Sequence, residues 1–153
     1  APGRIVWKRA GVDEAIAAPR KPLPSADLPG EEWIVGEALG CLIVGLLRWQ
    51  RGERLAALRM VQTHALDRLI ELDALRARQH GAVATGADPF NRERRLEQRQ
   101  PTLAAELAQL APGYGHTPAA ALALLEALQR RGAQLNAAAV ERIRALAAAT
   151  APG

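Results

Sequence analysis

The stretch EEWIVGEALGCLIVGLLRWQ, residues Glu31–Gln50, decides the fold class. It opens on two acidic residues, which the positive end of a helix dipole favours, and continues with apolar residues on nearly every side. This pattern predicts a long helix buried in the centre of a helical bundle. Gly36, Gly40 and Gly45 recur in it at about four-residue spacing, which would let another helix approach closely.

A second helix is predicted over residues 53–79, after the break at Arg51-Gly52. The short connector makes the two helices an antiparallel hairpin. Further helices are predicted over residues 91–100, 101–110, 119–131 and 134–148, so the fold class is an all-α bundle of five to six helices. The core stripe of the second helix is predicted to hold Leu55, Leu58, Gln62, Ala65, Leu66, Leu69 and Leu72.

Ahead of the bundle, the chain divides into two short regions. Residues 1–18 are predicted to hold a remnant strand at 4–9 and a short helical turn, and a lone strand needs partner strands for its backbone hydrogen bonds. Residues 19–30 contain four prolines and form a predicted Pro-rich linker. The bundle domain itself spans residues 31–153.

Composition excludes several classes of protein. Aromatic residues make up 3% of the 153 residues, which favours close-packed helices over a sandwich sheet. One Cys excludes a disulfide framework, and three scattered His residues predict no metal site. No apolar run is long enough for a membrane span, and the net charge of +4 is dispersed, so it gives no strong nucleic-acid signal. A cytoplasmic protein is expected.

Acidic residues on the first helix are the first candidate site. Glu31 and Glu32 lie in its first turn, where the ordinary role of a carboxylate is to interact with the helix dipole. Glu37 stands among apolar residues, and burying a carboxylate without a partner costs several kcal/mol. Glu37 is therefore expected either to pair with an arginine of the second helix or to face a polar cleft.

An arginine-rich segment, residues 92–99, is the second candidate site. Arg94, Arg95 and Arg99 are candidate phosphate-binding residues. The alternation of charge in this segment is also typical of a solvated helix face with internal ion pairs.

Arg59 and His64 form the third candidate site. Their spacing resembles the signature of HEPN-type ribonucleases, in which the arginine would stabilise phosphate charge while the histidine moves a proton. On an α-helix, residues five apart point about 140° away from each other, which is poor geometry for a shared phosphate. The alternative is a structural histidine near the bundle core.

Two stretches carry a family resemblance: residues 49–59, which span the connector between the first two helices, and residues 65–72 of the second helix. With Asp88-Pro89-Phe90 and residues 94–101, they resemble the C-terminal helical region of bacterial nucleotidyltransferases related to aminoglycoside and lincosamide adenylyltransferases. The resemblance covers about residues 30–130. In that family a mixed α/β catalytic domain precedes the helices, and the strand predicted at 4–9 looks like its last strand.

The resemblance implies a helical substrate-binding domain that lines the acceptor site of an antibiotic-resistance transferase. The family's metal-binding signature, a Gly-Ser turn followed by Asp-x-Asp, is absent from this sequence, so ATP and Mg²⁺ are expected only with a partner catalytic domain. Glu31, Glu32, Trp33 and Glu37 would bind a small cationic acceptor, and Glu32 or Glu37 would remove its hydroxyl proton. An alternative is a dimerisation or interaction module, and a homodimer is suggested by the glycines of the first helix.

Overall fold

The computed structural model describes residues 5–13, 15, 29–81 and 93–149, and there the prediction of an all-α bundle is confirmed. A π-helical segment, Arg59–Ala65, joins α2 to α3, and a 3₁₀ turn, Tyr114–His116, precedes α6. The α-helices are α1 (Glu31–Gln50), α2 (Arg54–Leu58), α3 (Leu66–Gln79), α4 (Leu96–Arg99), α5 (Pro101–Leu110), α6 (Thr117–Arg130) and α7 (Ala137–Ala148).

Helix α1 lies at the centre of the bundle, as predicted. It contacts α2, the π-helical segment, α3, α6 and α7. Ile34, Leu42 and Leu46 on its inner side are fully buried. The helix also has an exposed outer side, which its apolar sequence does not predict; Trp33 there is 48% exposed.

Gly45 is the point of closest approach between α1 and the helix after it. A Cβ atom at this position would overlap the Cγ2 atom of Val61 and would lie 3.2 Å from the Cβ of Met60. The predicted close approach is therefore confirmed at Gly45. At Gly36 and Gly40 a Cβ would meet nothing within 4 Å.

The π-helical segment changes which residues of the second predicted helix face the core. The backbone stays right-handed helical at Arg59 and Leu66, so α2, the segment and α3 follow one another without a break. Because π-helical hydrogen bonds join residues five apart, each turn holds more residues than an α-turn, and α2 is rotated relative to α3. The prediction of Leu55 in the core stripe is wrong: Leu55 is 55% exposed, and Ala57 is buried instead.

The helix predicted over residues 91–100 is much shorter in the structure. Residues 91 and 92 lie outside the described part, and Arg95 adopts a left-handed backbone with φ of 59°, so α4 begins only at Leu96. The helix predicted from residue 134 begins at Ala137. There the side chain of Asn136 accepts a hydrogen bond of 3.1 Å from the backbone N–H of Ala139, which fixes the start of α7.

The regions predicted ahead of the bundle are only partly described. Residues 5–9 form no strand in the structure, and Val6 and Trp7 are 84% and 80% exposed. Most of the predicted helical turn lies outside the described residues, although the N–H of Ala15 donates to Asp13 at 2.9 Å. Of the predicted linker, only Pro29 and Gly30 are described.

Candidate functional site

A cleft of about 680 Å³ opens at the N-terminal end of α1, beside the connection from α6 to α7. Its volume lies within the usual range for small-molecule sites. Acidic and amide side chains are combined in it with apolar ones, a composition suited to a polar organic molecule. The lining residues are Glu31, Glu32, Val35, Gly36, Leu39, Gln134, Leu135 and Asn136.

Glu31 is held in place by Arg76 of α3. The Nε atom of Arg76 donates to Oε2 of Glu31 at 3.2 Å, and its Nη2 atom makes a second, shorter bond to Oε1. These hydrogen bonds and the charge of Arg76 lower the pKa of the Glu31 carboxyl below its ordinary value. Glu31 therefore stays ionised in the cleft, with its charge largely engaged by Arg76.

The other acidic candidates differ in position. Glu32 is exposed and lines the cleft, so its carboxylate is available to a ligand. Glu37 is exposed and lies outside the cleft. A carboxylate at this position is not desolvated, so it needs no partner. The expectation that Glu37 is paired or faces a polar cleft is therefore wrong. Burial, followed by the charge of Glu37, raises the pKa of the Cys41 thiol.

Trp33 also lies outside the cleft. The guanidinium of Arg68 is 5.5 Å from the centre of its ring, a cation–π contact between α1 and α3. The structure thus brings Glu31 and Glu32 together in the cleft and places Trp33 and Glu37 on the outer side of α1.

Beneath the cleft, ion pairs tie four helices together. Arg131, which follows α6, donates to both carboxylate oxygens of Asp73 at 2.7 and 3.0 Å. It also donates to Glu106 of α5 at 3.3 Å, and Arg130 donates to the same carboxylate at 2.9 Å. Arg76 links this network to α1, because it bonds both Glu31 and the backbone carbonyl of Arg131.

The network makes the stability of the fold depend on pH. Burial would raise the pKa of Glu106, but hydrogen bonds from Arg131 and Arg130 lower it below the ordinary value of 4.5, and Arg76 lowers that of Glu31. A depressed carboxyl pKa contributes stability above the unfolded-state value and loses it as the pH falls. We therefore expect Glu31→Gln to lower the urea midpoint at about pH 7, and to lower it progressively less as the pH falls below the unfolded-state value of about 4.3. A loss that does not change with pH would contradict this role of Glu31.

Gln62, in the π-helical segment, fastens the turn between α5 and α6. Its Nε2 atom donates to the carbonyl of Gly113 at 2.9 Å and to the hydroxyl of Thr117 at 3.2 Å. Its Oε1 atom accepts from the N–H of Gly113 at 2.8 Å. The prediction of Gln62 on the core side is confirmed, and these bonds satisfy a buried amide that would otherwise cost free energy.

Arg59 and His64 both lie in the π-helical segment. Both are exposed, so the alternative of a histidine near the core is wrong. Because π-helical bonds join residues five apart, this segment brings the two positions closer to one face than an α-helix would. Catalysis by the pair remains a hypothesis.

The arginine candidates lie around the start of α4. Arg94 and Arg95 are exposed in the turn before that helix, and the Nη2 atom of Arg99 donates to the carbonyl of Arg94 at 3.3 Å. Because Arg95 is left-handed, the three residues do not follow one regular helix face. Their proposed role in phosphate binding stays a prediction.

Neither a metal site nor a membrane span is found among the residues that the structure describes. No three His, Cys, Asp or Glu side chains there are grouped so that they could hold a metal ion. None of the described helices combines the length and apolar character needed to cross a membrane. No family model, curated protein or solved structure matches this chain.

Proposed function

We propose that this domain binds a small cationic organic molecule in the cleft at the start of α1. Its role would be that of the acceptor-binding domain of an adenylyltransferase-like protein whose catalytic domain is a separate unit. The observation that carries the proposal is the placement of Glu31 and Glu32 beside amide side chains in one cleft of about 680 Å³.

The composition of the cleft supports a ligand that carries both amino and hydroxyl groups. The exposed carboxylate of Glu32 attracts an ammonium group, and a charge-assisted hydrogen bond is stronger than a neutral one. Gln134 and Asn136 add amide groups that can donate to and accept from hydroxyls. Val35 and Leu39 provide apolar surface for a ring. An aminoglycoside has these features.

In this proposal Glu32 has two roles and Glu31 has one. The Glu32 carboxylate binds the cation and accepts the proton of the hydroxyl that is modified. Glu31, which Arg76 already holds, fixes the wall of the cleft. In this proposal nucleotide and Mg²⁺ bind to the partner catalytic domain.

We expect the full chain to bind kanamycin in isothermal titration calorimetry, and Glu32→Gln to weaken that binding about tenfold, because one charge-assisted hydrogen bond is lost. The matched control is Glu37→Gln, which removes an equal charge from α1 outside the cleft and should leave the affinity unchanged. Equal losses in both variants would indicate general electrostatic attraction and contradict the proposed site. Tight binding of ATP with Mg²⁺ by this chain alone would contradict the division of roles.

A further inference from the structure

An excess of positive charge lies at the end of the bundle where α1 leads into α2. Over residues 38–66 the chain has four arginines and one acidic residue, Glu53. The 3₁₀ turn contacts α2, and residues 107–125, which include this turn, contain no acidic residue. The net charge of the whole chain does not show this excess, because acidic residues elsewhere offset it. We call the surface formed by Arg48, Trp49, Arg51, Arg54, Arg59 and Tyr114 the basic end of the bundle.

Most of this charge is not neutralised within the described part of the chain. Arg48 and Arg51 share the carboxylate of Glu53, at 2.8 and 2.7 Å. Neither Arg54 nor Arg59 forms an ion pair with a described residue, and Arg59 is exposed. Two donors, Nε of Arg48 and Nη1 of Arg54, are buried without an acceptor among those residues, which costs free energy. The basic end therefore lacks oxygen acceptors, and a bound anion would supply them.

Aromatic side chains lie among these arginines. The guanidinium of Arg54 stacks on the ring of Trp49, 3.6 Å from its centre. Tyr114, the only tyrosine of the chain, is 59% exposed. An exposed ring gives an unpaired base a flat surface to stack on, while guanidinium groups bind phosphates. An acidic peptide or an anionic membrane would use the charge alone, whereas a single-stranded nucleic acid uses both the charge and the ring.

We infer that the basic end binds single-stranded nucleic acid, with its arginines on the phosphates and a base stacked on Tyr114. A duplex fits less well, because its bases are already paired and stacked on each other. The surface is separate from the cleft: α1 has 20 residues, so its two ends lie about 30 Å apart. Binding at the basic end therefore does not depend on the function proposed for the cleft.

Fluorescence anisotropy of the full chain with a labelled oligothymidylate of about 15 nucleotides tests the inference. We expect a dissociation constant of about 1–100 µM at low salt. Three or four neutralised phosphates should give a slope of about −2 to −3 in a plot of the logarithm of affinity against that of salt concentration, at about 0.7 per phosphate of a single strand. A chain that does not bind the strand at low salt overturns the inference.

One charge at each end of the bundle tests the position of the surface. Arg59→Gln should weaken binding about fivefold and reduce the salt slope by about 0.7, because one phosphate contact is lost. Its melting temperature should not change, since Arg59 forms no ion pair with a described residue. The matched control is Arg130→Gln, which removes an equal charge at the end of α6 and should leave affinity and slope unchanged. Equal weakening by both variants would indicate attraction to the net charge and overturn the assignment of the surface.

Removal of the bases tests the stacking on Tyr114. Tyr114→Ala should weaken binding of the oligothymidylate about fivefold or more, whereas Tyr114→Phe, which keeps the ring, should not. An abasic strand of the same length should bind the wild-type chain more weakly and should not distinguish the two variants. An abasic strand or a duplex that binds as tightly as the oligothymidylate overturns the inference. Displacement of the strand by polyglutamate or by phosphatidylserine vesicles of matched charge also overturns it, in favour of an acidic protein or a membrane surface.

Discussion

Replacing Arg131 by alanine is expected to lower the free energy of unfolding by about 3 kcal/mol, the low end of the range for breaking a buried ion pair. Arg131 has only 13% of its side chain exposed, and it bonds both Asp73 and Glu106. Asp73, which is 24% exposed, would lose the partner that offsets its desolvation, and Glu106, which is 23% exposed, would keep Arg130 but lose its more buried partner. The lower end of the range applies because both keep some contact with water.

The adjacent arginine is a matched control for this experiment. Arg130 bonds the same Glu106 at 2.9 Å, but 54% of its side chain is exposed. Arg130→Ala should therefore cost less than about 1 kcal/mol, as is usual for surface ion pairs. Chemical denaturation with a common slope measures both variants. Equal effects of the two substitutions would show that burial of Arg131 is not what gives the network its stability.

Gly45→Leu is expected to destabilise the fold by a similar amount, about 3 kcal/mol, the upper end of the usual cost of overpacking. The new Cβ would overlap Val61, which is fully buried and packed in the core. The carbonyl oxygen of Ala57 would also lie 3.4 Å from it, so the backbone of the neighbouring helix limits relaxation. Thermal and urea unfolding measure the loss.

Gly40→Ala is the control for Gly45→Leu, because it replaces a glycine of the same helix where the new side chain meets no neighbour. Nothing lies within 4 Å of an added Cβ at Gly40, so alanine should stabilise the fold by about 0.5–1 kcal/mol through helix propensity. If Gly45→Leu were tolerated as well as Gly40→Ala, the close approach of α1 to the π-helical segment would be refuted.

The sequence predicts those elements that are determined by residues close together along the chain. Helix α1 follows from its apolar composition, and the end of α6 near Gly132 follows from a glycine that adopts φ of 68°. The left-handed Arg95 carries no such signal, because arginine rarely adopts that conformation. The exposure of Leu55 cannot be predicted from hydrophobic periodicity, because that periodicity assumes a uniform α-helix.

Of the residues that line the cleft, only those of α1 could be predicted from the sequence. Glu31 and Glu32 stand out as acidic residues in a first helical turn. Gln134 and Asn136 come from a connection about a hundred residues later, and no spacing rule links them to α1. The same holds for the pairing of Arg131 with Asp73, 58 positions apart, which depends on tertiary packing. Patterns along the chain cannot reveal such contacts.

The π-helical segment has a consequence for insertions and deletions. A chain with one residue fewer between positions 59 and 65 could continue as an ordinary α-helix through this region. Helix α2 would then turn by about 100° relative to α3, which would move Ala57 away from the core and Leu55 towards it. The α1–α2 connection would have to adopt a new path. The number of residues in this segment therefore sets how α2 is rotated about the helix axis relative to α3.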